Sequence, residues 1–266
     1  MAEPAAQLPA VQHLVVRYAK RGKMRFASHR DVARVFERGV RRAGLPIAYS
    51  AGFTPHPKIS YAGGAPTGVA SEAEYLSLAL TSRQAATFVG QRLNAALPDG
   101  IEVIDVTEHA EGAKAGTAFG RLEASQWRVV LPGVKPDAAQ RAVAGFLAQD
   151  EAPVERLTDK GVRSLDARAA VVELDVLGED GPAGPEGRRP GPHEAADPDG
   201  GQRAAMTGLE DCAILRMVVL HTAPAVRPDD VLTALRDQHG LVPSSPSMVT
   251  RLAQGPLAQL ARTKVS

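Results

Sequence analysis

Two histidines lie among neighbours that could let them do chemistry. His29 sits in S-H-R-D (residues 28–31), between a hydroxyl and a carboxylate at capping-box spacing. A helix amino terminus disfavours an imidazolium, so a neutral His29 there suits a general base. His56 sits in P-H-P-K (residues 55–58), where Pro55 and Pro57 hold the backbone extended and display His56 and Lys58. With Lys58 or Tyr61 as its acid–base partner, His56 meets the needs of metal-independent RNA cleavage, which requires only a positioned proton donor and acceptor. His29 and His56 are therefore the candidate catalytic residues of an endoribonuclease. Each also has a plainer reading as a structural or ligand-contacting side chain, and the chain carries no catalytic motif of its own.

Other chemistries find less support. His13, His29, His56, His109, His193, His221 and His239 form no H-x-x-x-H pair, and Cys212 is the single cysteine. The spacing predicts no metal site, and a thiol-ligated cluster cannot be assembled from this chain alone. Neither G-x-x-x-x-G-K-[ST] nor G-x-G-x-x-G occurs, so a nucleotide-cradling loop of either sort is unsupported.

Charge points to a polyanion. Residues 1–64 hold eleven Lys or Arg against three acids, a net +8, which leaves −7 for the other 202 residues of a chain whose total is +1. Arg30, Arg34, Arg38, Arg41 and Arg42 fall within roughly 120° of one another on a helical wheel, opposite Val32, Val35, Phe36, Val40 and Ala43. One face packs, and the other is a stripe of guanidinium groups suited to phosphates. Arg25, just ahead of the helix, extends it. The loop that follows, residues 49–68, offers Tyr49, Phe53 and Tyr61 as stacking surfaces for unpaired bases beside His56 and Lys58. Gly52, Gly63, Gly64 and Gly68 let another backbone approach closely. Further on, Arg163, Arg168 and Arg251 are candidates to extend the basic surface.

These residues need elements to position them. Residues 13–22 read as a strand and a basic turn, and residues 28–43 as a helix capped by Ser28 and Asp31 and stopped by Gly44 and Pro46. Alternation predicts strands at 74–80 and 101–109 around a helix at 82–97. The second half offers strands near 126–133, 168–178, 212–222 and 247–255, with helices at 135–149 and 227–240. The expected fold class is α+β: tandem ferredoxin-like (split βαβ) domains with antiparallel sheets, at 11–110 and 122–255. Residues 178–211, thirteen of 34 being Gly or Pro, read as a disordered insertion in a hairpin, and residues 110–121 as the linker. No run of about eighteen apolar residues occurs, and the first ten lack signal-peptide features, so a cytoplasmic protein without membrane contact is expected.

The stretch RFASHRDVARVFERGVRRAGLPIAYSAGFTPHPKISYAGGAPTGVASEAEYLSLAL (residues 25–80) resembles the bacterial radical-SAM-linked family of uncharacterised proteins, and its S-H-x-D and G-F-x-P-H-P-K segments are specific to it. VRSLDAR (residues 162–168) and the Arg251 segment fit the family's later part, so the resemblance covers about residues 11–255 without the insertion. The resemblance implies a helper of a radical SAM enzyme, with the iron–sulfur cluster and SAM belonging only to that partner. Residues and resemblance together lead to the expectation of a non-catalytic RNA-binding accessory protein in RNA or ribosome-related modification. The alternatives are the endoribonuclease, and a subunit that docks on a radical SAM enzyme without touching RNA.

Overall fold

A computed structural model describes residues 8–51, 53–109, 119, 121–158, 161–177 and 211–261. The chain divides into two compact units, Met1–Arg121 and Leu122–Ser266. Each mixes helices with antiparallel strands, and the described residues form five α-helices in all. The linker expected at 110–121 and the insertion expected at 178–211 lie almost wholly outside the described residues.

The first unit runs β1 (Gln12–Lys20), a 3-10 turn (Gly22–Phe26), α1 (His29–Arg42), β2 (Ile59–Tyr61), β3 (Ala70–Leu80), α2 (Ala86–Ala96) and β4 (Ile101–Glu108). Its strands lie in the order β4-β1-β3 with β2 on β3, every pairing antiparallel. Strand β2 lies within residues 49–68, a stretch whose glycines and prolines predict a loop. The α1 caps are as expected: Asp31 N–H donates to Ser28 Oγ at 3.2 Å, Ser28 N–H donates to Asp31 Oδ2 at 3.2 Å, and Gly44 follows at φ +65°.

The core of this unit joins Leu14 and Val16 of β1 to Leu76 and Leu78 of β3, with Val32, Phe36 and Val40 pressed on them from α1 and Val89 and Leu93 from α2. Each such side chain contributes about 1.5–3 kcal/mol by leaving water. Sequence alternation in β4 slips between Val103 and Val106, and a bulge explains it. Arg17 pairs with Asp105 while Tyr18 pairs with Val103, so Ile104 is the extra residue and turns outward. Asn94 of α2 guards the same strand: its side chain donates to Val103 O at 3.0 Å and accepts from Val103 N–H at 2.7 Å, as a neighbouring strand would.

The second unit runs β5 (Ala124–Pro132), α3 (Pro136–Leu147), β6 (Pro153–Thr158), β7 (Gly161–Asp166), β8 (Val171–Leu177), β9 (Cys212–Leu220), α4 (Pro228–His239), β10 (Met248–Gly255) and α5 (Leu257–Leu260). Its strands follow the order β10-β5-β9-β8, again antiparallel, and β6 and β7 form a separate hairpin that sequence patterning missed. Val129, Leu131, Phe146, Leu215, Met217 and Leu235 are fully buried between strands and helices. No described helix is long and apolar enough to cross a membrane.

Candidate functional site

Helix α1 turns one face inward because Val32, Phe36, Val40 and Ala43 recur at core spacing, and this leaves Arg30, Arg34, Arg38, Arg41 and Arg42 exposed on the other. Little neutralises them. Asp31 lies 3.9 Å from Arg34, and among the described residues no carboxylate pairs with Arg30, Arg38 or Arg41. The Asp31 carboxyl is held below its ordinary range, first by the Ser28 hydroxyl and then by the Ser28 N–H and Arg34.

Arg42 has a second task that sequence patterning did not show. Its Nη1 donates to Ala96 O of α2 at 3.1 Å, while Arg92 of α2 donates through Nε and Nη2 to Ala43 O at 2.9 and 2.6 Å. Each helix thus supplies a cation to the other's carboxyl end, where orphan carbonyls and the helix dipole favour one. Arg42 and Arg92 tie the helices together, and Arg30, Arg34, Arg38 and Arg41 remain turned to solvent.

The loop between α1 and β2 is closed by its own backbone. Tyr49 bridges to Pro57, Ser50 N–H donates to His56 O at 2.8 Å, and His56 N–H donates to Ser50 Oγ at 3.0 Å. These contacts push out a tip on which Phe53 is fully exposed, with His56 and Lys58 also exposed. Lys58 is threaded by its backbone, its N–H donating to Ala48 O at 2.8 Å and its carbonyl accepting from Ala79 N–H at 3.1 Å.

The three aromatic candidates therefore part company. Phe53 faces solvent, whereas Tyr49 and Tyr61 pack against the core. Tyr61 Oη donates to Ala33 O of α1 at 3.4 Å, its ring meets His29 edge-on at 5.4 Å, and burial, with Glu37 nearby, pushes its hydroxyl well above the usual range. Tyr61 ties β2 to α1. Among the described residues no hydrogen bond or ion pair joins the arginine side chains to those of His56 or Lys58, so the stripe and the loop tip are separate features of one unit. Arg25, just ahead of α1, is half-buried, its guanidinium 4.7 Å from the Phe26 ring and its Nε buried with no hydrogen-bond partner among the described residues.

A cavity of about 180 Å³ opens at the amino end of α1, lined by Tyr18, Lys20, His29, Val32, Gly64, Ala65 and Glu74. Lys20 and Glu74 are each only 3% exposed. Lys20 Nζ donates to Ala65 O at 3.2 Å and Pro66 O at 3.4 Å, and Glu74 Oε2 accepts from Ala65 N–H at 3.1 Å, so the glycine-rich segment after β2 is fastened over two buried charges. Beside it, Arg21 grips Glu72 and Glu102. Sequence reasoning found His29 and missed Lys20 and Glu74 as lining groups. The available signal was a lysine and a glutamate inside strands whose other buried residues are mostly apolar.

Candidates in the second unit fare differently from one another. Arg163 is exposed on β7, opposite Arg156, whose guanidinium is held by Asp230 at 2.8 Å. Arg168 is half-buried, with Nη1 donating to Val171 O at 3.0 Å. Arg251, expected on a basic groove, is 6% exposed with its guanidinium 4.6 Å from the Trp127 ring, committed to packing by cation–π contact. Nearby, Ser125 Oγ lies 2.7 Å from His221 Nε2 and His221 Nδ1 lies 2.7 Å from Leu122 O, an arrangement that holds the ring with Nδ1 protonated. Among the described residues no group of three His, Cys, Asp or Glu side chains could hold a metal ion.

Residues 13–228, from the second residue of β1 to the first of α4, match the model of a family described as "Uncharacterized protein conserved in bacteria", DUF2344. The chain belongs to this family. The match takes in α1, the loop tip and the cavity, and it ends before Arg251, so that segment stands outside the matched part. The family description names neither an activity nor a partner. No curated protein matches the chain.

Proposed function

We propose that this family member is a non-catalytic RNA-binding module that holds a single strand along the outward face of α1. The observation that carries this reading is the run Arg30, Arg34, Arg38 and Arg41, all exposed, with one carboxylate at 3.9 Å as the nearest neutralising partner. Like charges at i,i+4 repel by a few tenths of a kcal/mol per pair, a cost that a polyanion offsets. Phe53, exposed on the loop that also carries His56 and Lys58, supplies a face on which a base can stack.

A finer reading of architecture accompanies this one. Each unit is a split βαβ, ferredoxin-like domain, supported by strand orders β4-β1-β3-β2 and β10-β5-β9-β8 with a helix after the first and third strand of each set. The resemblance of residues 25–80 to the radical-SAM-linked family supports a cytoplasmic partnership in which the module presents its RNA to a radical SAM enzyme, and that enzyme brings the iron–sulfur cluster and SAM.

Crosslinking in cells tests the RNA reading. Ultraviolet irradiation is expected to leave RNA on the full-length protein, with adducts on peptides containing Phe53 and α1, and the signal should fall several-fold in Arg34→Ser/Arg38→Ser/Arg41→Ser. Absence of crosslinked RNA, or equal yield from that variant, contradicts the reading. Co-purification of a radical SAM enzyme that survives nuclease treatment, with no RNA crosslink, would favour the docking subunit instead.

The endoribonuclease reading rests on one observation, His29 beside the buried Glu74 at the cavity mouth. Cleavage of RNA by the wild type, lost in His29→Ala with binding kept, would establish it.

A further inference from the structure

We propose that the cavity at the amino end of α1 is a seat for one extruded base of the bound RNA, and that its polar groups select guanine. The inference rests on the RNA-binding reading and deepens it. Its starting point is size: about 180 Å³ falls below the range of roughly 300–1,000 Å³ that whole drug-sized ligands occupy, and suits a single ring system entering from a strand held outside.

Lining chemistry narrows the ligand further. Tyr18 and Val32 offer apolar surface to the flat faces of a ring, and His29 stands at the mouth, braced edge-on by Tyr61. Glu74, a buried acceptor, is aimed by the Ala65 N–H at 3.1 Å, while Lys20 fastens the segment that carries Ala65. A carboxylate accepts two parallel N–H bonds, and guanine alone among the four bases presents adjacent N1–H and N2–H donors on its pairing edge, next to an O6 that can accept a hydrogen bond from a His29 ring N–H. A phosphate is a poor occupant, because the Glu74 carboxylate offsets the Lys20 cation and no other lysine or arginine lines the cavity. Place and chemistry thus divide the work: arginines of α1 hold the backbone regardless of sequence, and the cavity reads one base.

The test uses the full chain and fluorescence anisotropy at about 50 mM salt, with labelled twelve-residue uridine tracts carrying a single central G, A or inosine. Tighter binding of the G tract by about tenfold is expected, since a good bidentate contact discriminates by about that much. Inosine lacks the N2 amine but keeps N1–H and O6, so it should bind between G and A. Two variants locate the effect. Glu74→Gln removes the carboxylate, and Gly64→Leu fills the cavity from an exposed position, since a Cβ there would stand 3.5 Å from Glu74 Oε2 and 3.7 Å from His29 Nδ1. Both are expected to lose the preference for G and keep the binding of plain uridine tracts. Should Glu74→Gln fail to fold, Gly64→Leu still decides.

Equal affinity for all three tracts, or an undiminished preference in Gly64→Leu, overturns the base seat and leaves the RNA-binding reading standing. No binding of any tract overturns that reading and the seat with it. A second arm titrates free guanosine against the protein by NMR and follows the Val32 and Ala65 amides. Shifts at both are expected, and silence at both overturns the seat even where RNA binds.

Discussion

Phe53 and Arg251 show what exposure does to a side chain's available roles. Both are large and carry π or cationic character, yet Phe53 has solvent all round it while Arg251 lies over Trp127 inside the second unit. Phe53→Ala should therefore leave stability within about 0.5 kcal/mol of wild type by urea denaturation, as surface changes do, and lower affinity for single-stranded RNA about tenfold through lost stacking. His221 makes a prediction of a different kind. Although much of the residue is exposed, both ring nitrogens are engaged, and burial first, then Arg251, holds its pKa below the ordinary value of 6.5. The folded state resists protonation that the unfolded chain accepts, so this contribution is complete above about pH 6.5 and is lost as pH falls through the lowered folded value. Urea midpoints measured at pH 7.5 and 5.5 should drop for wild type and drop less for His221→Gln; equal slopes would contradict the assignment.

At the scale of elements, helix α1 was legible in the sequence down to its caps, because Ser28, Asp31 and Gly44 act locally and the apolar spacing is strong. Its arginine face was legible for the same reason. What the sequence hid was long-range: Lys20 and Glu74 are 54 positions apart and meet around one cavity only after β1 and β3 pair, and Arg92 reaches Ala43 from another helix. Tyr61 looked like a display residue because the glycines and prolines around it read as loop, whereas β2 pins it to β3 and turns it onto α1. The β6–β7 hairpin was missed because its exposed, charge-interrupted strands lack a clear apolar period. Gly100 gives this scale its prediction. It opens β4 at φ +86°, its carbonyl accepts from Arg21 N–H at 2.8 Å, and an added Cβ would stand 2.7 Å from Arg21 O. Gly100→Ala should cost more than about 1 kcal/mol in denaturant titrations, from both positive φ and contact with backbone that cannot move aside. Unchanged stability would mean that the β1–β4 end of the sheet is looser than described.

For the whole molecule, charge is the organising quantity. A chain of net +1 concentrates +8 in its first 64 residues, and folding turns four of those arginines outward on one helix while Arg21 and Arg42 are spent on internal contacts. Family membership places the chain among bacterial proteins, and the physical case for a polyanion partner stands on the uncompensated helix face. The most direct test is the salt dependence of full-length protein binding to a single-stranded RNA between about 50 and 200 mM monovalent salt. The account predicts that log affinity falls linearly with log salt at a slope of about −2 or steeper, from at least three phosphate contacts at about 0.7 each, and that Arg34→Ser/Arg38→Ser/Arg41→Ser flattens the slope by about 2. A slope unchanged in that variant, or no binding at the lowest salt, would contradict it.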